Sequence, residues 1–170
     1  LYHSSSGGMT ENSDAVFAVA LPYLVSVESM GEEKYSDFTD EKVFKKEDFI
    51  RAVNEKFPQA EMTDAVGQVE VWDRTDSGRV KLVSLGQTVV TGQQMRTAFN
   101  LHSTNFSFEF NGDEVKIKCI GFGHGVGMSQ NGANAMAEEG YDYRTILKHY
   151  YTGVELEKLK DRIEKAKGEG

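Results

Sequence analysis

Several features are scarce in this sequence of 170 residues, and each shortage excludes a class of protein. Cys119 is the one cysteine, so neither an internal disulfide nor a cysteine-rich zinc site is possible. The alternating run around Cys119 predicts a buried strand position for it. No stretch approaches the roughly 20 apolar residues of a transmembrane helix, and no signal peptide is recognisable. The chain opens at Leu1 within what resembles a folded segment, so targeting residues are expected, if anywhere, upstream.

Basic residues are also few relative to acidic ones. The sequence has 19 Lys and Arg against 27 Asp and Glu, a formal net charge of −8. Nucleic-acid binding draws on clustered Lys and Arg that neutralise phosphates, so this balance disfavours a nucleic-acid partner. It equally disfavours docking on an anionic membrane surface. The length is that of one ordinary domain, and a neutral or weakly charged ligand such as a sugar polymer is easier to accommodate.

The hydrophobic pattern predicts an α+β fold with a strand-rich mixed core, several short helices and a C-terminal helix. The predicted strands are residues 23–27, 67–74 and 80–85. A hairpin is predicted where Asn111-Gly112 separates the alternating runs 106–110 and 115–118, because this dipeptide favours a tight hairpin turn.

Helices are predicted from apolar periodicity and from capping residues. In segment 47–57 the apolar residues Phe49, Val53 and Phe57 share one face. Thr91 followed by Gln94 fits a capping box for a helix at 92–100. The other predicted helices are 128–139 ending at Gly140, a short helix capped by Asp142 that runs to Tyr150, and a mostly solvated tail helix from Leu156.

The Gly-rich segment GFGHGVGMSQNGA at residues 121–133 is the most informative part of the sequence. Its position between a strand and a helix predicts a polar pocket, where backbone N–H groups and the positive end of the helix dipole face a ligand. His124, Ser129 and Gln130 supply polar side chains there. The alternative is that the glycines serve close packing and that His124 bonds to the backbone. Nucleotide motifs are excluded, because the spacing fits no G-x-G-x-x-G and no Gly-Lys-Ser/Thr occurs.

A second polar segment, YHSSSGGMTENS, occupies residues 2–13. A Ser/His nucleophilic pair is disfavoured, since His3 and Ser4 are adjacent and no Gly-x-Ser-x-Gly elbow exists. A metal site from His3, Glu11 and Asp14 matches no ligand spacing. The simplest alternative is a polar loop stabilised by local hydroxyl hydrogen bonds.

Both segments resemble elements of the SpoIID/LytB family. Residues 2–13 are similar to its His-Ser-Thr-Ser-Gly-Gly-x-Thr-Glu-Asn element, with Ser5 where Thr is usual. Residues 121–156 are similar to its Gly-His-Gly-Val-Gly-Met-Ser-Gln-x-Gly-Ala signature and Tyr-Tyr-x-Gly-x-x-Leu ending. RTDSGRV at 74–80 and LHSTNFSF at 101–108 resemble intermediate elements, with His102 where Arg is commoner. The resemblance implies that residues 1–156 are the C-terminal portion of a SpoIID-like domain and that 157–170 form a helical tail.

The resemblance implies a lytic transglycosylase that cleaves MurNAc–GlcNAc bonds of peptide-stripped glycan strands to 1,6-anhydro ends in sporulation. In that chemistry one carboxyl protonates the glycosidic oxygen and then acts as base while the C6 hydroxyl closes on C1. The family's acid is a glutamate in a Glu-Met element upstream of these residues. Glu61-Met62 lies downstream of the motif, so the role is not transferred to it, and Glu11 is the in-chain candidate.

The resemblance also implies a glycan-binding cleft, with no cofactor and no metal. The expected substrate-binding residues are His3, Ser6, Gly7, Gly8, Thr10, Glu11, Gly123, His124, Gly125, Gly127, Ser129 and Gln130. Expected partners are peptidoglycan glycan strands, an N-acetylmuramoyl-L-alanine amidase, and an N-terminal segment or companion chain. The alternatives are a non-catalytic amidase-enhancing module and a structural sporulation protein. The implied location is extracytoplasmic, facing the cell wall, with the full-length protein secreted or membrane-anchored.

Overall fold

The computed structural model describes residues 1–159, 162 and 163. Five α-helices and eight strands lie within these residues, which confirms the predicted α+β class. The strands are β1 Tyr2–His3, β2 Thr39–Lys45, β3 Val69–Arg74, β4 Val80–Leu85, β5 Thr88–Thr91, β6 Phe106–Asn111, β7 Glu114–Ile120 and β8 Met128–Ser129. The helices are α1 Ser13–Phe17, α2 Lys46–Lys56, α3 Gly92–Phe99, α4 Gln130–Glu138 and α5 Tyr143–Tyr150, and a 3₁₀ turn covers Pro58–Ala60.

The strands form three small sheets. Two are antiparallel, with strand orders β2-β7-β6 and β3-β4-β5, and the third pairs β1 with β8 in parallel. The predicted hairpin is confirmed, because β6 and β7 pair on either side of the Asn111-Gly112 turn. The Cys119 prediction is confirmed as well, since its side chain is buried beside those of Val115 and Ile117.

The main hydrophobic core is built by α2, α3 and the two antiparallel sheets. The rings of Phe49 on α2 and Phe99 on α3 lie 5.8 Å apart between their centroids. Val83 and Ile117 are completely buried in the same cluster. Each such side chain contributes about 1.5–3 kcal/mol relative to an exposed position, so this core anchors the helices and sheets that surround the site.

Strand β2 lies outside the sequence predictions. Four of its seven residues are charged and none is fully buried, so it carries no clear apolar alternation. Its place in the sheet is set by β7, on which Lys116 and Lys118 form ion pairs with Glu41 at 3.1 and 3.6 Å. These cross-strand pairs of opposite charge add to the backbone pairing of β2 with β7, and Phe44 packs on the core against Phe49 and Phe99.

The predicted strand at residues 23–27 is wrong. Two backbone N–H groups of this segment are bound by side chains instead of by a strand partner. Ser26 N donates to Asn12 Oδ1 at 2.8 Å, and Val27 N donates to Thr10 Oγ1 at 2.8 Å. These side-chain acceptors belong to the polar segment 2–13, so the apolar composition was overridden by capture of its backbone.

The helix predictions are confirmed with shifted bounds. The N-terminal end of predicted helix 128–139 is wrong, because Met128 and Ser129 form β8 and α4 begins at Gln130. Asp142 caps α5 as predicted, by accepting a hydrogen bond from Thr145 N at 2.8 Å. In the predicted tail helix Leu159, Arg162 and Ile163 are helical. The remaining residues of that helix lie outside the described part of the chain.

The capping box at the start of α3 allows a direct test of the predicted helix start. Thr91 Oγ1 accepts a hydrogen bond from Gln94 N at 3.1 Å, and Gln94 Oε1 accepts one from Thr91 N at 2.8 Å. We expect Thr91→Ala to lower the free energy of unfolding by about 1 kcal/mol in urea titrations. Thr97→Ala, at an exposed position of the same helix, is the control and should not destabilise. Equal losses in both variants would contradict the capping role.

Candidate functional site

The two motif segments, from opposite ends of the chain, pack against each other as one unit. Strand β1 pairs with β8, so that His3 lies beside Ser129. Ser5 and Phe122 exchange two backbone hydrogen bonds of 3.1 and 2.8 Å. Glu11 N donates to Gly125 O at 2.8 Å. The sequence resemblance thus corresponds to one continuous piece of structure.

Glycines permit this close approach of the two segments. A Cβ at Gly121 would lie 2.8 Å from Ser5 O, and one at Gly127 would lie 2.5 Å from Leu1 O. Both glycines also have positive φ angles, 81° and 77°, which side chains rarely adopt. These close approaches agree with the alternative in which the glycines of residues 121–133 serve close packing of the backbone.

A buried glutamate that the sequence analysis did not single out lies beneath the serine segment. Glu32 is fully buried and accepts hydrogen bonds from Ser5 Oγ at 2.5 Å, Ser6 Oγ at 2.6 Å and Gly7 N at 3.1 Å. The serine side chains therefore point inward, toward Glu32. The hydroxyl group of Ser6 thus donates to Glu32 within the chain, and its predicted contact with a ligand stays a prediction.

Hydrogen bonds keep Glu32 ionised. Burial by itself raises the pKa of a carboxyl group, but hydroxyl groups of Ser29, Ser5, Ser6 and Ser129 together hold the pKa of Glu32 below its ordinary value. The burial of an ion without such partners would cost several kcal/mol. Glu32 is therefore a structural anion to which several loops are bound.

Glu32 also lies against the start of α4. A Cβ at Gly132 would be 3.1 Å from Glu32 Oε1, 2.0 Å from Ser29 Oγ and 2.1 Å from Tyr150 Oη. Only glycine leaves room here, and the positive end of the helix dipole faces a carboxylate of the chain itself. At this end of α4 the nearby anion is thus Glu32, and the predicted ligand pocket stays a prediction.

The backbone N–H groups of the same helix end have partners within the chain. Gly132 N donates to Ser129 Oγ at 3.2 Å, and Asn131 N donates to Ser4 O at 3.0 Å. Ser29 Oγ lies 2.6 Å from Tyr150 Oη, and burial raises the pKa of Tyr150 to about 12. Tyr150 therefore stays protonated and belongs to the same buried network.

His124 is bonded to backbone through both ring nitrogens. Its Nδ1 accepts from Val126 N at 3.0 Å, so the proton is on Nε2, which donates to Tyr2 O at 3.1 Å. Burial lowers the pKa of His124. The ring is neutral, and its half-buried surface contacts the ring of Phe17 at 5.7 Å between centroids.

His3 is a second neutral ring, almost entirely buried. Its Nδ1 lies 3.3 Å from Val126 O, and its ring centroid is 5.5 Å from that of His124. Burial, and to a smaller degree the neighbouring His124, lower the pKa of His3 to about 4. Neither histidine is therefore charged near neutral pH, and His3 supports the position of His124.

The turn between β3 and β4 contains an arginine that donates hydrogen bonds to the backbone of the polar segment 2–13. Arg79 is 2% exposed, and its Nη atoms donate to Ser6 O at 2.7 Å and to Met9 O at 3.1 Å. Nη1 also donates to Ser77 Oγ at 2.9 Å, and Ser77 in turn donates to Glu11 Oε2 at 2.6 Å. The resemblance of residues 74–80 to a family element was the one sequence signal for Arg79 and Ser77.

Glu11 is buried at the meeting point of these elements. Its Oε2 is bound by Ser77, and its Oε1 accepts from Asn12 N at 2.8 Å. Both oxygens therefore serve as acceptors that order the two loops. This geometry makes Glu11 a positioning residue in the structure as it stands.

A cavity of about 550 Å³ opens beside this network. It is lined by Glu11, Ala15, Val16, Phe17, Thr75, Arg79, Val80, Lys81, Thr91, Gly92, Gln93, Arg96, Thr104 and His124. Of the residues expected from sequence, Glu11 and His124 line it. Phe17 and Arg96 were missed, because they come from segments without a distinctive local pattern. Arg79 was also not named as a site residue, although its segment 74–80 resembles a family element.

The other predicted site residues lie around the cavity wall. His3, Ser6, Thr10, Gly125, Gly127 and Ser129 are buried, Gly7, Gly8 and Gly123 are half-buried, and Gln130 is exposed. None of these ten lines the cavity, and their predicted contact with a ligand stays a proposal. Among the described residues, no helix combines the length and apolar character needed to cross a membrane.

Removal of the Glu32 charge should destabilise the fold. We expect Glu32→Gln to lower the free energy of unfolding at neutral pH by about 1–3 kcal/mol, because the amide nitrogen cannot accept the serine and backbone hydrogen bonds. Glu33→Gln, at the exposed neighbouring position, is the matched control. Urea unfolding followed by circular dichroism measures both.

The pH dependence of that loss has a definite sign. The folded-state pKa of Glu32 is lowered, so its contribution is present above the unfolded-state pKa of about 4.3 and is lost as pH falls through the folded-state value. The difference between wild type and Glu32→Gln should therefore shrink on acidification below pH about 4. A difference that is constant from neutral to acidic pH would refute the ionised assignment.

No protein-family model matches the sequence. The chain is 37% identical over 155 residues to stage II sporulation protein D of Bacillus amyloliquefaciens and 35% identical to that of Bacillus subtilis, which covers 91% of the chain and 44% of each relative. It is also 26% identical to an amidase enhancer of B. subtilis, over 91% of the chain and 29% of that relative. The chain thus spans less than half the length of these relatives. The resemblance to the SpoIID-like family is confirmed, because similarity to stage II sporulation protein D extends over 91% of the chain.

Proposed function

We propose that this chain forms the glycan-binding wall of a peptidoglycan lytic transglycosylase that works on the cell wall in sporulation. The observation that carries the proposal is the cavity beside the joined motif segments, into which Glu11 and His124 face. Similarity to stage II sporulation protein D and to an amidase enhancer supports a sporulation- and cell-wall-related role. Such a role corresponds to an extracytoplasmic location facing the cell wall.

The lining of the cavity has the chemistry of a saccharide site. Val16 and Phe17 give it an apolar wall on which the C–H face of a sugar ring can pack, and Phe17 is 46% exposed. Thr75, Thr104 and Gln93 add hydroxyl and amide groups that can bond to sugar hydroxyls. Apolar surface beside placed polar groups is usual in a small-molecule site.

The general acid of the proposed reaction is not assigned to a residue of this chain. Glu11 uses both oxygens as acceptors, and the two histidines near the cavity are neutral. We therefore propose that the segment binds and orients glycan, while a carboxyl group outside it protonates the glycosidic oxygen and then deprotonates the C6 hydroxyl. The products are chains with MurNAc 1,6-anhydro ends.

A chimera tests this division of labour. Residues 1–156 replace the aligned segment of the B. subtilis stage II sporulation protein D, and peptide-free glycan strands are digested and read by mass spectrometry. We expect anhydro-ended fragments from the chimera and none from the 170-residue chain alone, with the parent Bacillus protein as positive control. Anhydro ends produced by the chain alone would place the acid within it, and an inactive, folded chimera that does not bind glycan would contradict the proposal.

Phe17 tests whether the cavity binds the glycan. In the chimera we expect Phe17→Ala to raise KM about fivefold to thirtyfold, because truncation of a partly buried aromatic contact costs about 1–2 kcal/mol. Tyr143→Ala, which removes an exposed aromatic ring that does not line the cavity, should leave KM unchanged. Equal KM values for the two variants would place the glycan elsewhere.

A second candidate is a non-catalytic module that assists an N-acetylmuramoyl-L-alanine amidase. The 26% identity to an amidase enhancer favours it. The same digests distinguish the two: glycan binding without anhydro ends, together with faster peptide release when an amidase is added, supports the assisting module. Anhydro ends in the absence of amidase support the transglycosylase.

A further inference from the structure

The cavity is cationic although the chain is acidic. Its lining contains five titratable side chains: Glu11, Arg79, Lys81, Arg96 and His124. With His124 neutral, three cations stand against one carboxylate. The whole sequence carries a formal net charge of −8, so this balance is a local property of the cavity.

The three cations differ in how they are neutralised. Lys81 Nζ lies 3.3 Å from Asp73 Oδ2 and is therefore paired. Neither Arg79 nor Arg96 forms an ion pair with a carboxylate within residues 1–159, 162 and 163. The Nη atoms of Arg79 donate hydrogen bonds to segment 2–13 and to Ser77. Its buried Nε has no hydrogen-bond partner among those residues.

Arg96 has guanidinium N–H donors that no described residue accepts. Its guanidinium is half-buried, and the hydrogen bond it makes to a described residue runs from Nε to Leu101 O at 3.3 Å. That bond fixes the side chain and leaves the Nη edge available. Burial lowers the pKa of Arg96 because part of its hydration is lost. Nearby Arg79 adds a second positive charge to the field at this edge.

A planar guanidinium with a free edge is suited to a carboxylate. Two parallel N–H···O bonds to a carboxylate are stronger and more directional than bonds to neutral hydroxyls. Arg79 is balanced in part by the nearby carboxylates of Glu11 and Glu32, but Arg96 has no such carboxylate among the described residues. A site for a neutral sugar alone gains little from such an arginine, whose partial desolvation is a cost. The charge of the cavity thus indicates an anionic group on the ligand.

We propose that Arg96 binds a carboxylate of the ligand and that Arg79 strengthens this anion subsite from behind. The inference rests on the proposed function, because in peptidoglycan the carboxylate nearest the sugar ring is that of the lactyl group of muramic acid. This group is an amide while a stem peptide is attached and a free carboxylate once the peptide is removed. Arg96 therefore selects glycan strands that have lost their peptides.

Calorimetric titration of the 170-residue chain tests the subsite with three tetrasaccharides. One alternates GlcNAc and peptide-free MurNAc, one carries stem peptides on its MurNAc residues, and the third is chitotetraose, which has no carboxylate. We expect wild type to bind the peptide-free glycan most tightly. Arg96→Gln should weaken that binding about tenfold or more and leave chitotetraose unchanged, because one charged hydrogen-bonded pair is lost.

Two further variants separate binding from folding. Arg96→Lys keeps the charge without the bidentate edge and should recover part of the affinity. Arg144→Gln, at an exposed position that does not line the cavity, should bind all three glycans as wild type does. Thermal unfolding of each variant identifies a loss of binding that comes from a loss of fold.

The outcomes distinguish this inference from the function on which it rests. If both peptide-free glycan and chitotetraose bind equally to wild type, or if a folded Arg96→Gln binds as wild type does, the subsite is refuted and glycan binding stands. If peptide-bearing glycan binds best and Arg96→Gln loses it, the lactyl assignment is wrong and a peptide carboxylate is the ligand. If no glycan binds, the glycan-binding role of the chain fails, and the subsite fails with it.

Discussion

The buried carboxylate of Glu32 is the interaction on which the architecture of the site depends. A carboxylate cannot be buried at an acceptable cost unless most of its acceptor capacity is used. Here the hydroxyl groups of Ser5 and Ser6, in segment 2–13, donate hydrogen bonds to the two carboxylate oxygens. The start of α4 can approach Glu32 closely because residue 132 is glycine. Loss of any one partner leaves a buried charge partly unsatisfied, which explains why serines and glycines occur together in both motif segments.

The wall built by the two motif segments and the cavity beside it differ in character. In the wall, most polar side chains are bound by other groups of the chain, and burial lowers the pKa of His3 and His124 so that both rings are neutral. In the cavity, Phe17 offers an apolar surface and Arg96 offers unshared donors. The fold thus separates groups that hold the backbone from groups that remain available to a ligand, and most motif residues belong to the first kind.

Local structure followed from sequence wherever its cause was local. The Asn111-Gly112 turn and the Thr91–Gln94 capping box were predictable because they depend on residues within a few positions. Strand β2 was not predictable, because its place is set by pairing with β7, more than 70 residues away in the sequence, and by the packing of Phe44 on the core. The segment 23–27 has the composition of a strand, but side chains of Thr10 and Asn12 accept hydrogen bonds from two of its backbone N–H groups.

The sequence by itself determined the α+β class, the resemblance to the SpoIID-like family and the two segments around which the site is built. Only the tertiary structure decided which way their side chains point. Ser6 and Ser129 carry groups suited to bind a sugar, yet Ser6 turns to Glu32 and Ser129 caps α4. Arg96 belongs to no motif, yet it faces the cavity. The reason is physical: local backbone conformation follows largely from neighbours in sequence, whereas side-chain direction and burial also depend on contacts between segments that are distant in sequence, such as β1 and β8.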